Sequence, residues 1–530
     1  MNHHLPAAQQ RKDPTIRFFQ LLLLMHVLFW TILASVTQAN LPDETLEILT
    51  AGQSPAWGYY DHPPLSIWIM SVISIVFAPA AWPAYLIAQL CIATCLWAAW
   101  RIGREVLHPW TAICGAIALE ACFFFTIGST ALTSAHLAGA FWALAILALY
   151  KAFKLQSRWD WVLVGALMGL GMLSHYSTVL LLWGMIAFSL MNHKARRCWD
   201  TSWPFLAGLT CFVIVIPHFW WAWAHEFNTL WTALEDWQSV LAHLQFSGEF
   251  VGFQLLAVIP MGLLLWPLIT RLQFSAEAGY EEEELDFARQ YLLVVTLLPA
   301  TLMLFLAAVV GVDLGSTGVT TWTFVGVVFL MWCDLAETKQ SWRRVIIRAG
   351  GFAGGFAALL IVMNSMTPAV FQFKQPASIH FPGRALAEQV RSIWEKQAFD
   401  RPIAIIGGDS QLARNASWYH GTFHRPLAFA ELDPAHATAV SDQDFKSAGG
   451  MILWTTENAA KYTPQQIQAR FGPELVQRTQ FADQPIVLNW QKSAATAPLE
   501  VHYAIVRPAP AEPTISTAEP TTQILGIATR

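Results

Sequence analysis

Apolar runs of roughly membrane length recur along this chain, and they leave it few ways to fold. The first, Phe18 to Ala34, follows Arg11, Lys12 and Arg17 and carries no charged residue. In hydrocarbon a backbone must satisfy its own hydrogen bonds, so such a run has to become a helix. About 20 residues are needed to cross. Spans are expected over residues 17–37, 84–100, 111–128, 132–150, 160–174, 176–191, 203–224, 251–270, 290–311, 318–334 and 346–366. Only 13% of the 530 residues are charged and 55% are hydrophobic, whereas a soluble chain carries about 25% charge. The expected fold class is therefore a polytopic α-helical membrane protein. A net charge of −5 with no basic stripe excludes general nucleic-acid binding; the bilayer is the partner that composition itself calls for.

The basic residues give an orientation. Arg101 and Arg104, Lys151 and Lys154, Lys194 and Arg196, Arg271, and Lys339 with Arg343 all fall on one side, provided Leu65 to Phe77 does not cross. By the positive-inside rule that side is cytoplasmic, as is the N-terminus. Residues 38–83 then form an outer loop, and Leu65 to Phe77, bounded by Pro63-Pro64 and Pro79, lies along the outer interface as a helix. Residues 1–366 read as the membrane domain.

Beyond Gln372 the charge rises and the long apolar runs stop. Strands are expected at Arg401–Asp409, Gly449–Thr456, Pro485–Leu488 and Val501–Val506, with helices at Gln411–Trp418 and Tyr462–Phe471 between them. Alternation of this kind makes an α/β domain over 367–510 on the outer side, followed by a disordered Pro/Thr/Ala tail over 511–530. All seven cysteines lie in or beside apolar segments, so the outer domain needs no disulfide.

The chemistry concentrates in the first outer loop, at Pro42-Asp43-Glu44 and at Trp57-Gly58-Tyr59-Tyr60-Asp61-His62-Pro63-Pro64. Ionisable groups beside a bilayer are costly and usually functional. Asp43 and Glu44 suit the first turn of a helix. A carboxylate there can act as a general base on an acceptor hydroxyl, or orient a divalent cation against a phosphate. Glu47, one turn on, supports either role from the periphery. Tyr59 and Tyr60 suit sugar stacking, and the prolines hold Asp61 and His62 in a rigid turn. His175 and Tyr176, between two spans, and His136, His218 and Glu226 share the outer side and could line one cavity. No H-E-x-x-H spacing marks a zinc site, and the residues leave the metal undetermined.

These motifs resemble a family. The aromatic-Asp-His-Pro-Pro run Tyr59 to Pro64, with the Asp43-Glu44 pair, is similar to the bacterial membrane glycosyltransferases related to aminoarabinose transferases and protein O-mannosyltransferases, in the branch labelled dolichyl-phosphate-mannose-protein mannosyltransferase-like. The resemblance implies a GT-C fold of about 11 to 13 transmembrane helices with a periplasmic C-terminal α/β domain, in the inner membrane of a bacterium. It implies inverting transfer of a sugar from a polyprenyl-phosphate donor to a periplasmic-side acceptor such as lipid A, core oligosaccharide or another glycolipid, or to a protein. Asp43 would be the base; Asp61 and His62 would shape the donor-phosphate site. Where that branch often has Leu-Ser-Lys-Tyr, this chain has Leu173-Ser174-His175-Tyr176, so a lysine's fixed charge is missing. Lys374 and Arg384 are the nearest cations after the last span. A non-catalytic envelope receptor or a lipid transporter is the alternative reading.

Overall fold

The first span, α1 (Pro14–Thr37), starts where it does because Asp13 caps it: the Asp13 carboxylate accepts from the Thr15 N–H (2.9 Å) and Pro14 occupies the first helical position. The computed structural model describes residues 13–59, 62–225, 227, 240–272, 282–312, 314, 317–365, 378–397, 399, 401–421, 425–433, 440–490 and 497–509. Tyr60, Asp61, Glu226, Lys374 and the 511–530 tail lie outside the described residues.

After α1 come α2 (Asp43–Ala51), α3 (Pro64–Phe77), α4 (Trp82–Val106), α5 (Pro109–Ile117), α6 (Ser134–Leu155), α7 (Arg158–Ser174), α8 (Thr178–Met191), α9 (Trp203–Ala224), α10 (Val240–Leu265), α11 (Glu282–Val309), α12 (Val325–Met331) and α13 (Lys339–Ser365). Among the described residues, seven are long and apolar enough to cross a membrane: α1, α4, α6, α9, α10, α11 and α13. Leu21, Leu24, Leu28 and Ile32 on α1 are exposed while Phe19 and Trp30 are buried, the pattern of a helix with one face to lipid. Small residues bring backbones together. A Cβ on Gly165 of α7 would stand 2.1 Å from the Ala207 carbonyl oxygen of α9, so only glycine allows that approach. The strands β1 (Ile269–Leu272) and β2 (Cys333–Leu335) pair antiparallel between α10 and α13.

Two expected spans differ from a straight helix. Residues 111–128 are broken: Pro109–Ala121 and Phe123–Thr130 meet at 90°. Cys122 at the break is extended, and beyond it the Thr126 and Ser129 hydroxyls donate back to the carbonyls of Cys122 and Thr126. Glu120, just before the break, pairs with His26 of α1 at 2.6 Å, with side-chain exposures of 14% and 3%. Residues 318–334 begin as a 3-10 segment, Thr317–Phe324, where threonine hydroxyls bond three residues back, and become α-helical only at α12. Helix α3 forms within its proline bounds as expected, with Val72, Ile75 and Val76 exposed.

The C-terminal region builds α14 (Gly383–Lys396), β3 (Ile405–Gly408), α15 (Ser410–Trp418), β4 (Leu427–Ala430), α16 (Asp442–Ala448), β5 (Gly450–Thr455), α17 (Pro464–Phe471), α18 (Pro473–Gln477), β6 (Thr479–Phe481), β7 (Ile486–Leu488) and β8 (Leu499–Val506). The sheet runs β4-β3-β5-β8-β6, with β7 also on β8; β3 is parallel to both β4 and β5, and β8 is antiparallel. Strand β4 and helix α14 did not stand out in the sequence because β4 is four residues beside turn residues and α14 is amphipathic rather than apolar. This layer docks on the segment between α1 and α4. Leu41, Leu46 and Leu49 share one core with Ala387, Trp418 and Tyr419. Leu41 N–H donates to the Tyr419 hydroxyl (3.3 Å), and the Gln53 amide donates to Ser417 Oγ (2.9 Å) and the Pro426 carbonyl (3.2 Å).

Candidate active site

Helix α2 begins at Pro42, which occupies the N-cap, and this places Asp43 and Glu44 in its first turn, where the free N–H groups favour carboxylates. Glu44 meets a second helix start as well: its Oε1 accepts from the Ser134 N–H at the head of α6 (3.4 Å). The Thr45 hydroxyl donates to the Leu132 carbonyl (3.1 Å), stitching α2 to that turn. Burial pushes Glu44 up to about 7, opposed by the Ser134 N–H and helped by the negative charge of Glu47. Burial also raises Asp43, and the Arg414 guanidinium pulls it part of the way back. Asp43 Oδ1 is buried with no hydrogen-bond partner among the described residues. A buried acceptor in that condition costs stability until something donates to it.

One turn along α2, Glu47 joins two groups from distant parts of the chain. Its Oε2 lies 3.2 Å from Arg414 Nη1 on α15, and its Oε1 lies 3.8 Å from His62 Nε2. On the other side of the imidazole, His62 Nδ1 is 3.5 Å from Ser134 Oγ, which is 3.2 Å from Ser66 Oγ on α3. His175 completes this side. Its Nδ1 accepts from the Ser177 N–H (3.2 Å), so in the neutral ring the proton sits on Nε2. Burial and the neighbouring His62 lower His175 to about 4, which leaves it uncharged at neutral pH.

A second strand of contacts holds the aromatic wall. His218 Nδ1 donates to the Trp57 carbonyl (2.7 Å), so its Nε2 accepts from the Tyr176 hydroxyl (3.1 Å). Gly58 lies flat on Trp221, where a Cβ would come within 2.1 Å of the ring. The Tyr59 hydroxyl folds back on its own loop, donating to the Ser54 carbonyl (3.0 Å) and accepting from the Ala56 N–H (3.1 Å). His136 bonds the Thr133 hydroxyl through Nδ1 (2.8 Å) and stacks on Phe124 (4.6 Å) in the core.

The structure thus brings together Asp43, Glu44, His62 and His175, with Tyr176 and His218 linked to the same loop through Trp57, and sets Tyr59 and His136 in packing roles. Residues 61–221 match the sequence model of the family described as dolichyl-phosphate-mannose-protein mannosyltransferase. No curated protein matches the sequence. Among solved structures, ArnT from Cupriavidus metallidurans superposes in two states. Bound to undecaprenyl phosphate it gives a TM-score of 0.54 at 14% identity, covering 92% of this chain and 97% of that one. In the apo state it gives 0.57 at 13% identity, covering 94% and 98%.

The chain has the GT-C fold. In it, the carboxylate cluster lies where the start of α2, the head of α6 and the C-terminal α/β layer meet. Sequence reading missed Arg414 altogether and left Glu47 at the periphery. Local signal was absent for both: nothing in Ser410–Trp418 says that it docks on α2. Of the two cations expected after the last span, Arg384 lies over the Tyr419 ring (5.4 Å), and Lys374 is outside the described residues. Among the described residues, no three His, Cys, Asp or Glu side chains converge as a metal site.

Proposed function

We propose that this chain is a membrane glycosyltransferase that moves a sugar from a polyprenyl-phosphate donor to a hydroxyl of a periplasmic-side envelope glycolipid, such as lipid A or core oligosaccharide, with inversion at the anomeric carbon. The observation that carries the reading is the buried Oδ1 of Asp43, unpartnered among the described residues, within a cluster that also holds Glu44, His62 and His175. The fold and the family match over 61–221 support it. A protein hydroxyl is the second acceptor class compatible with the same chemistry. The distribution of basic residues puts the N-terminus on the cytoplasmic side and the α/β layer on the opposite side, which the family resemblance makes the periplasmic side of a bacterial inner membrane.

In this mechanism the acceptor hydroxyl donates to Asp43 Oδ1. The acceptor oxygen forms a bond to the anomeric carbon, the bond from that carbon to the phosphate oxygen breaks, and its electron pair leaves on the lipid phosphate. The acceptor proton goes to Asp43. Lipid phosphate is already a competent leaving group, so orientation and charge stabilisation supply most of the effect. Tyr176, held by His218, and the loop from Trp57 shape the sugar side; Tyr60 and Asp61 belong to that loop.

Glu44 sets the working pH. Its proton is held up to about pH 7, and once that proton leaves, the new negative charge beside Asp43 makes Asp43 a stronger base. The acidic limb of the rate profile is therefore expected near pH 7 instead of the ordinary carboxylate range. In Glu44→Gln the limb moves to lower pH and the plateau rate falls. Initial rates of transfer from pH 5 to 9 check this; a limb that stays near 7 in the variant assigns it to another group.

The reading as a whole is tested with purified protein in lipid nanodiscs, a polyprenyl-phosphate sugar and envelope glycolipid extract. A sugar-sized mass gain on the glycolipid, matched by release of polyprenyl phosphate, is expected. A mass gain on protein and none on glycolipid moves the acceptor class. Intact donor after prolonged incubation with both acceptor classes removes the transferase reading.

A further inference from the structure

The cluster holds three carboxylates, Asp43, Glu44 and Glu47, and a lipid-phosphate donor would add more negative charge beside them. A site of this composition needs a cation that stays charged. His175 and His218 do not supply it. His175 is neutral at pH 7, and both ring nitrogens of His218 are committed to Trp57 and Tyr176. Arg384 lies over Tyr419; Arg425 lies over Trp418 and reaches Ser74 at the far end of α3. Among the described residues, the permanently charged side chain in contact with this cluster is Arg414, through Glu47.

We propose that Arg414, contributed by the C-terminal α/β layer, binds the phosphate of the lipid-linked donor, and that Glu47 is its counter-ion until the donor arrives. The inference rests on the donor class given under Proposed function. Among the described residues, Arg414 makes one ion pair, a single Nη1 contact of 3.2 Å to Glu47 Oε2, with its side chain 14% exposed. A guanidinium offers five N–H donors in a planar fork that matches phosphate oxygens two at a time, so most of its capacity is uncommitted in that contact. Its place is preorganised. Helix α15 is fixed to the first loop at Ser417 by Gln53, and just beyond its end by the Tyr419 hydroxyl, which accepts from Leu41 N–H. Leu46 and Trp418 share the core beneath. The cation therefore needs no rearrangement of the domain to face an anion in the loop. Glu47 has somewhere to turn when a phosphate takes over the guanidinium, because its other oxygen already faces His62 Nε2 at 3.8 Å.

The rival account makes Arg414–Glu47 a clamp between domain and loop and nothing more. The two accounts predict opposite behaviour for the two partners. Binding of undecaprenyl phosphate, without acceptor, is measured on the full-length protein in nanodiscs by native mass spectrometry and by titration, with the neutral alcohol undecaprenol as control. Arg414→Gln is expected to weaken undecaprenyl phosphate binding at least about tenfold, and Arg414→Lys by less, because a point charge remains without the fork. Glu47→Gln is expected to bind as tightly as the unaltered protein or tighter, since it removes a competing anion. Undecaprenol binding is expected to be unchanged in all three. Arg414→Gln binding like the unaltered protein overturns the proposal, as does equal weakening in Arg414→Gln and Glu47→Gln, which is the signature of the clamp. Failure of the unaltered protein to prefer undecaprenyl phosphate over undecaprenol overturns this proposal and the donor class together, and so is told apart from failure at Arg414 alone.

Discussion

Asp43→Asn is expected to reduce sugar transfer by about 10²- to 10⁴-fold, the span that a positioned general base contributes, while leaving the fold intact. Asparagine keeps the shape and the acceptor oxygen but cannot take the proton. Asp43 is suited to the exchange because its Oδ1 makes no hydrogen bond among the described residues, so no structural contact is lost at that atom. Burial destabilises the Asp43 charge, and Arg414 offsets part of that cost, so the neutral amide is expected to be at least as stable as the carboxylate. Initial rates of polyprenyl phosphate release, with melting temperature measured alongside, check the pair of outcomes. Asp43→Glu is expected to recover a fraction of the rate, because the base returns with its oxygen displaced by one methylene. A rate within threefold of the unaltered protein in Asp43→Asn would move the base elsewhere, with Glu44 the next carboxylate in the same turn.

The second large effect is structural and lies inside the membrane domain. Glu120→Ala is expected to cost about 1–3 kcal/mol, the range for leaving a buried hydrogen-bonding partner unsatisfied. The Glu120–His26 contact of 2.6 Å ties the break in the 109–130 segment to the first span. Removing the carboxylate leaves both His26 ring nitrogens without a partner, since Nε2 already lacks one in the described structure. Whole domains are stable by only about 5–15 kcal/mol, so a loss of that size lowers the yield of folded protein and the melting temperature in detergent together. Glu120→Gln keeps a hydrogen bond and is expected to lose less. Replacing both partners with apolar residues of similar volume is expected to restore much of the loss, because the desolvation cost then disappears. Equal melting temperatures for Glu120→Ala and the unaltered protein would show that the break is held by packing alone.

The parts of this molecule legible in its sequence share a physical character. The apolar runs announce helices because a membrane leaves a backbone no other partner than itself. Pro42-Asp43-Glu44 announces a helix start because capping and the helix dipole act within one turn. The bend at residues 122–123 was not legible: Glu120 and the Phe123–Phe125 aromatics look like an ordinary apolar run with one odd charge, and the partner that explains the charge, His26, is 94 residues away. The same limit hid the site's cation. Asp43, Glu44, His62 and His175 stand out by type and setting in their own segments, whereas Arg414 sits in a short amphipathic helix like many others.

By itself the sequence determined that this chain spans a membrane, that its ionisable chemistry gathers in the loop after the first span, and that an α/β layer follows, because each of those rests on interactions among neighbours in the chain. Tertiary structure alone decided that Glu44, in the first turn of its own helix, also accepts from the head of α6, that the Asp43 carboxylate keeps an oxygen unpaired among the described residues, and that Arg414 faces the loop. Those outcomes depend on contacts such as Leu41 with Tyr419, separated by 378 residues. Burial and charge at a site are properties of what packs around it, and packing is settled only when distant segments meet.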